Sequence, residues 1–322
     1  MAEVRDFPLR WLSLFAQNVY QAGMLRRPQP PRRRYTGKIA DPERWHSLEP
    51  RPGDIVVSTP PKSGTTWTQG ILAMLISGDP NVDAAISRNA PWIDIAAPEQ
   101  DEIIAALNAQ TGRRQIKTHT PLDGIPLWPD LSYISVFRHP IDVHFSFRRH
   151  VNNMRQDVLG DIYPHDIHEG FRIFLEGDHR DGASLVSIVD HFRSALGLAG
   201  QKNFLCLHYA DMIRDLNAAV HQIAEHVSIL HPRALMDELI EAARFGNMKD
   251  NAERFAVSAR EGFWRKDSDF FDSGTSQKWL GVLTDTDLAA YNARMTDLLS
   301  EEERHWLEHG GGKLSNAFLN SR

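Results

Sequence analysis

Residues 55–67 read IVVSTPPKSGTTW and run directly into TQGILAMLIS. Ile55, Val56 and Val57 form a short apolar run of the kind that fills a buried strand. Pro60, Pro61, Ser63 and Gly64 end that strand, and Thr65 and Thr66 are placed to cap the helix that follows. A strand–turn–helix of this kind aims free backbone N–H groups and the positive end of a helix dipole at one point. Lys62 and the hydroxyls of Ser63, Thr65 and Thr66 add charge and donors there, so a phosphate or sulfate belongs at that point. A nucleotide triphosphatase loop wants Gly, four residues, then Gly-Lys-Ser/Thr, whereas here Lys62 precedes the only glycine, Gly64. By itself the stretch also fits an ordinary capped helix start.

The 322 residues, 42% of them hydrophobic, are enough to bury a full core in one large α/β domain or two small ones. A formal charge of -6 argues against general nucleic-acid binding, so an anion site here has to be a local basic cluster in an acidic protein. Cys206 is the only cysteine and sits in the apolar run FLCLHY, which excludes a disulfide within the chain and suits a small buried side chain. No run approaches transmembrane length, and MAEVRDFPLRW carries acids where a signal peptide wants a basic and then an apolar stretch. A cytoplasmic protein is expected.

Residues 1–36 read as an arm and linker. Trp11, Leu14, Phe15, Val19 and Tyr20 recur at helical spacing, and the basic, proline-rich RRPQPPRRR follows from Arg26 to Arg34. The apolar stripe suits packing on the domain or a partner subunit, with contact to an anionic membrane surface as the alternative. In residues 37–322 strand-like and helix-like text alternates, which implies a parallel sheet flanked by helices. Helices are expected over Glu99–Ala109, after Pro140, over Ser184–Gly197 and Leu216–Val227, and finally over Asp285–Leu299. Strands are expected in RQIKTH, SYISVF and NFLCLHY. Residues 156–182 read as an irregular polar excursion over the active-site face, and residues 245–278 as a long, partly ordered loop.

Two strand ends carry the chemistry. Lys117 and His119 are two apart and face the same side, beyond the carboxyl edge shared with the Lys62 turn, so a cation and a base flank the anion. A triphosphatase needs an acid after an apolar strand to hold Mg²⁺, yet SYISVF is followed by Arg138, which forks onto phosphate and binds no metal. Asp211, after the last strand, is the one place left for a metal-holding acid and keeps a Mg²⁺-dependent phosphoryl-transfer enzyme or NTPase as the alternative. His165 and His168 are spaced for one helix face but read as a solvated loop.

Taken together these residues resemble the sulfotransferases that use 3'-phosphoadenosine 5'-phosphosulfate (PAPS), particularly the soluble small-molecule family and its bacterial relatives. Pro61-Lys62-Ser63-Gly64-Thr65-Thr66-Trp67 is similar to the family's 5'-phosphosulfate loop, with Trp67 stacking on adenine. Lys117-Thr118-His119-Thr120-Pro121-Leu122 resembles its catalytic strand, in which the histidine is the base. Arg138 and Ser146 fall where the family grips the 3'-phosphate, and Tyr209 and Phe245 where it lines the adenine pocket. The resemblance implies a P-loop-like α/β sulfotransferase fold and sulfuryl transfer from PAPS to a hydroxyl of a small-molecule or glycolipid acceptor. It also implies adenosine 3',5'-bisphosphate (PAP) as product, with Lys62, Lys117 and His119 catalytic and no metal.

The family's last motif is where the chain departs. Aligned on Gly274 and Trp279, the chain has Asp272 and Ser273 at the basic positions and Gln277 at the second glycine, while Arg265 and Lys266 lie upstream as candidate substitutes for the basic pair that meets the 3'-phosphate. Of the animal enzymes' short dimer motif Thr284 is present, but Asp285 and Ala289 replace its valine and acid, which leaves the oligomeric state open. Segments 91–95 and 162–174 are the expected acceptor pocket.

Overall fold

The computed structural model describes residues 25–35, 37, 39–82, 89–96, 100–154, 164–178, 184–255, 265 and 274–314. The apolar stripe of the N-terminal arm, Trp11 to Tyr20, lies outside them.

Four strands form one parallel sheet in the order β2-β1-β3-β4: β1 Ile55–Ser58, β2 Gln115–Thr118, β3 Ser132–Phe137 and β4 Phe204–His208. Their register sets Val57 beside both Lys117 and Ile134. The strands are short apolar runs because both faces are covered, and alternate residues feed two cores. Ile55, Val57, Ile134 and Val136 pack with helices Thr65–Ser77, Leu216–His226 and Arg233–Ala242. Val56, Ile116, Tyr133 and Phe137 pack on the other face with Ile167–Glu176 and Leu185–Leu196. Because β2 and β3 lie on opposite sides of β1, the chain changes direction at β1, and a crevice opens beyond the strands' carboxyl ends. At the opposite edge Arg114 closes a bidentate pair on Asp54 at 2.9 and 2.7 Å, tying the starts of β1 and β2.

The proline-rich segment read as a linker is bonded to the domain, its arginines finding carboxylates. Gln29 bridges Leu127, Arg33 pairs with Asp190 at 2.8 Å, and the buried Tyr35 donates to Asp123 at 2.9 Å.

Three expectations need correction. The described part of residues 156–182 holds a helix, Ile167–Glu176, whose Phe171, Phe174 and Leu175 are buried, so that part belongs to the core and is not an irregular excursion. His168 stands on that helix and pairs with Asp287 at 2.7 Å. Residues 245–278 open on two short helices, Phe245–Asp250 and Ala252–Phe255. The helix Asp285–Leu298, capped by Thr284 and Asp287, is followed by another, Glu301–His309. Among the described residues no helix is long and apolar enough to cross a membrane.

Candidate active site

The turn after β1 is built on left-handed backbone, Lys62 at φ 65° and Gly64 at φ 117°. Gly64, not a threonine, is the N-cap of helix Thr65–Ser77, and it offers no side chain to the helix's first N–H groups. Thr65 fails as a cap because its hydroxyl is engaged 2.5 Å from that of Thr59. Ser63 is fully buried, and its Oγ has no hydrogen-bond partner among the described residues. A buried hydroxyl beside uncapped N–H groups is a donor set waiting for an oxyanion.

Beside the turn stand the groups from the end of β2. His119 Nδ1 lies 2.7 Å from the Thr59 carbonyl. A carbonyl only accepts, so Nδ1 carries the proton and Nε2 keeps its lone pair. Trp92 stands between the two side chains, edge-on to His119 at 4.7 Å and under the Lys117 ammonium at 4.7 Å. Burial first, and then the Lys117 charge, hold His119 well below the usual histidine range, while burial brings Lys117 down to about 8 against the pull of Asp94. Lys62 Nζ reaches His150 Nδ1 at 3.0 Å.

Asp94 organises this wall from behind. It is fully buried and accepts from Trp92 (2.6 Å), Thr118 (2.6 Å), Thr120 (2.7 Å) and Trp45 (3.0 Å). Burial pushes its carboxyl up, and these donors pull it back.

The second half of the site is aromatic. The Arg138 guanidinium lies 4.5 Å from the Tyr209 ring centre and donates to the Thr275 carbonyl at 3.1 Å, while its Nε, buried, has no partner among the described residues. Tyr209 meets Trp67 edge-on at 5.5 Å, Trp67 meets Phe245 at 6.3 Å, and the Trp67 indole is pinned to the Ala243 carbonyl at 2.7 Å. Gly274 presses on Phe245, where an added Cβ would sit 2.7 Å from the ring.

The structure thus gathers Lys62, Lys117 and His119 on one side and Trp67, Arg138, Tyr209, Phe245 and Gly274 on the other, with Gly64 packed against Tyr209 between them. Thr66 follows Thr65 in the first turn of its helix, and Ser146 is half-buried on helix Pro140–Asn152. Arg265 is exposed and bonded to the Asn153 and Met154 carbonyls, while Lys266, Asp272 and Ser273 lie outside the described residues. Asp211 is engaged by Arg214 at 2.5 Å and by the Gly311 amide at 3.0 Å.

Sequence reading missed His150, Trp92 and Asp94 as individual members of the site. For His150 a signal existed: it stands four residues after Ser146 on a helix, on the same face.

A family described as the sulfotransferase domain matches residues 52–302. The chain belongs to the sulfotransferase family. The enzyme class and donor implied by the motifs, a sulfotransferase that uses PAPS, follow from that membership. A glycolipid sulfotransferase of Mycobacterium bovis is 30% identical, over 86% of this chain and 94% of its own. Sulfotransferase 1C2 of Oryctolagus cuniculus is 29% identical over 64% of this chain and 69% of its own. The fold is shared with mouse sulfotransferase SULT7A1, solved with PAP, at TM-score 0.65 and 21% identity over 86% of this chain and 97% of that one. It is also shared with retinol dehydratase, solved with androsterone and PAP, at TM-score 0.65 and 22% identity over 79% of this chain and 82% of that one.

Proposed function

We infer that this sulfotransferase transfers the sulfuryl group of PAPS to a sugar hydroxyl of a glycolipid, with His119 as general base. The observation that carries the mechanism is the His119–Thr59 hydrogen bond, which leaves the Nε2 lone pair to take a proton, in a ring that burial keeps neutral at pH 7. As the acceptor oxygen attacks sulfur, its proton passes to Nε2 and an S–O bond forms. The S–O bond to the 5'-phosphate breaks, and its electron pair leaves on the phosphate oxygen of PAP. Lys62, Ser63, Thr65, Thr66 and the uncapped amides after Gly64 meet that phosphate, and Lys117 faces the transferring group. Arg138, with Ser146, takes the 3'-phosphate, and Trp67, Tyr209 and Phe245 take adenine. Arg265 and Lys266 are the further candidates for the 3'-phosphate. No step is assigned to a metal. The glycolipid acceptor rests on the relative from M. bovis, whose length is matched almost throughout, and on Trp92, a partly exposed aromatic ring in contact with the base.

The test is transfer from labelled PAPS to a panel of alkyl glycosides, glycosylceramides, phenols and sterols, with EDTA and with Mg²⁺. His119→Ala should lower kcat by about 10²–10⁴-fold and leave PAP affinity within about twofold, because proton removal matters only on the way to the transition state. Equal loss of PAP binding and rate would make His119 structural, and activity lost to EDTA would defeat the metal-free mechanism.

A further inference from the structure

The Lys62 amine meets an imidazole. Its Nζ lies 3.0 Å from Nδ1 of His150, a half-buried residue in the last turn of helix Pro140–Asn152. The two come from elements that follow adjacent strands, β1 and β3, so the contact exists only at the carboxyl edge of the sheet. An ammonium group has only donors, so Nδ1 must accept, and His150 is the neutral tautomer with its proton on Nε2. Burial first, and then the charges of Lys62 and Lys117, keep it neutral.

We propose that His150 is a positioning residue that holds the Lys62 amine in place for the donor's 5'-phosphate, an inference that rests on the reading of Lys62 given above. Lysine is a flexible point charge on a four-carbon stem, and ordering it on ligand arrival weakens binding. An Asp or Glu partner would order it too, but would cancel the charge that the phosphate needs. A neutral imidazole lone pair fixes direction and itself cancels none of the lysine's charge. His119 is thereby distinguished from its neighbour: its Nδ1 is a donor to Thr59 and its Nε2 a base, whereas His150 has the opposite tautomer and is committed to the lysine.

The test is calorimetric titration with PAP, which needs no acceptor. His150→Phe removes the lone pair and should weaken PAP by about three- to tenfold, the worth of one hydrogen bond. His150→Asn puts an amide oxygen where Nδ1 stood and should restore affinity to within about twofold. His150→Gln carries its amide one carbon further out and should not. Where the Phe variant fails to fold, the Asn and Gln pair makes the same comparison. Lys62→Met should weaken PAP on its own, and His150→Phe added to it should cost nothing more, because the histidine acts through the lysine. Two results overturn the proposal while leaving the site reading intact: Asn and Phe variants that bind alike, or a His150→Phe loss that persists in the Lys62→Met background. If Lys62→Met leaves PAP affinity unchanged, the assignment of Lys62 to the donor fails, and this inference falls with it.

Discussion

Replacing Gly64 with alanine should damage the donor site more than it damages the fold. At φ 117° and ψ 12° the residue lies outside the wells of any L-amino acid, and such strain costs roughly 1–3 kcal/mol. The new Cβ would lie 3.2 Å from the Tyr209 ring and 3.4 Å from Val136, so the tyrosine has to give by a few tenths of an ångström, adding up to about 1 kcal/mol. Unfolding entropy near 2.1 cal/mol/K per residue gives a 322-residue chain about 0.7 kcal/mol/K, so a loss of about 1–4 kcal/mol lowers Tm by about 1–6 °C. Tyr209 carries Arg138 on one side and Trp67 on another, and Gly64 sets the direction of the first helical N–H groups. PAP at 100 times its Kd adds about 2.7 kcal/mol to the wild type, a rise of about 4 °C, and the variant should lose most of it. Gly78→Ala is the control. It ends the same helix at φ 66°, its Cβ would meet His231 at 3.3 Å, and its strain of roughly 1 kcal/mol should lower Tm while leaving the PAP response whole. Melting curves with and without PAP measure both. If the two variants respond to PAP alike, the turn is not the phosphate seat.

Gly274→Ala should also weaken PAP, because φ 68° resists a side chain and the Cβ would be driven to 2.7 Å from Phe245; unchanged affinity by calorimetry would detach that loop from the adenine side. Stability should fall as pH drops below the ordinary histidine value of 6.5. Burial lowers His139 to about 4 and His144 to about 3, and holds His119 and His150 well below 6.5, so the unfolded chain takes up protons that the folded one refuses. The full contribution is present above 6.5 and is lost down to these lower values; buried Asp94 and Asp123, raised, act in the opposite sense. Urea midpoints between pH 7.5 and 5 should therefore decline, and His144→Phe should flatten the decline. An unaltered slope in that variant would refute the assignment.

The parallel sheet was legible because each strand is a short apolar run ending in a chemically conspicuous residue, Lys62 and His119 just beyond β1 and β2, Arg138 beyond β3. Period-two spacing was enough to bring Lys117 and His119 to one wall, as their shared contact with Trp92 shows. The helix Glu301–His309 was not read because it buries little beyond Glu303, Trp306 and Leu307, although its capping box, Ser300 with Glu303, is written in the sequence. Ile167–Glu176 was hidden by the polar text around three buried apolar residues. Asp94 carried no local sign of its role, since its donors come from Trp45, Thr118 and Thr120 as well as from Trp92 close by. The capping role given to the threonines failed for a local reason: only glycine takes the backbone angle required, and Thr65 had a hydroxyl to bond elsewhere.

The crevice at the carboxyl edge also decides when the site comes into being. His119 meets Thr59 across 60 residues, Lys62 meets His150 across 88, and Arg138 meets Thr275 across 137. Each contact closes a long loop whose entropy must be offset before the contact can repay it. During refolding, the helices and even a β3–β4 pair can precede the site, but no single strand–helix unit of the chain contains it. The appearance of PAP binding should therefore trail the recovery of helical signal, and a nicked or partly folded molecule should lose the ligand before it loses its secondary structure.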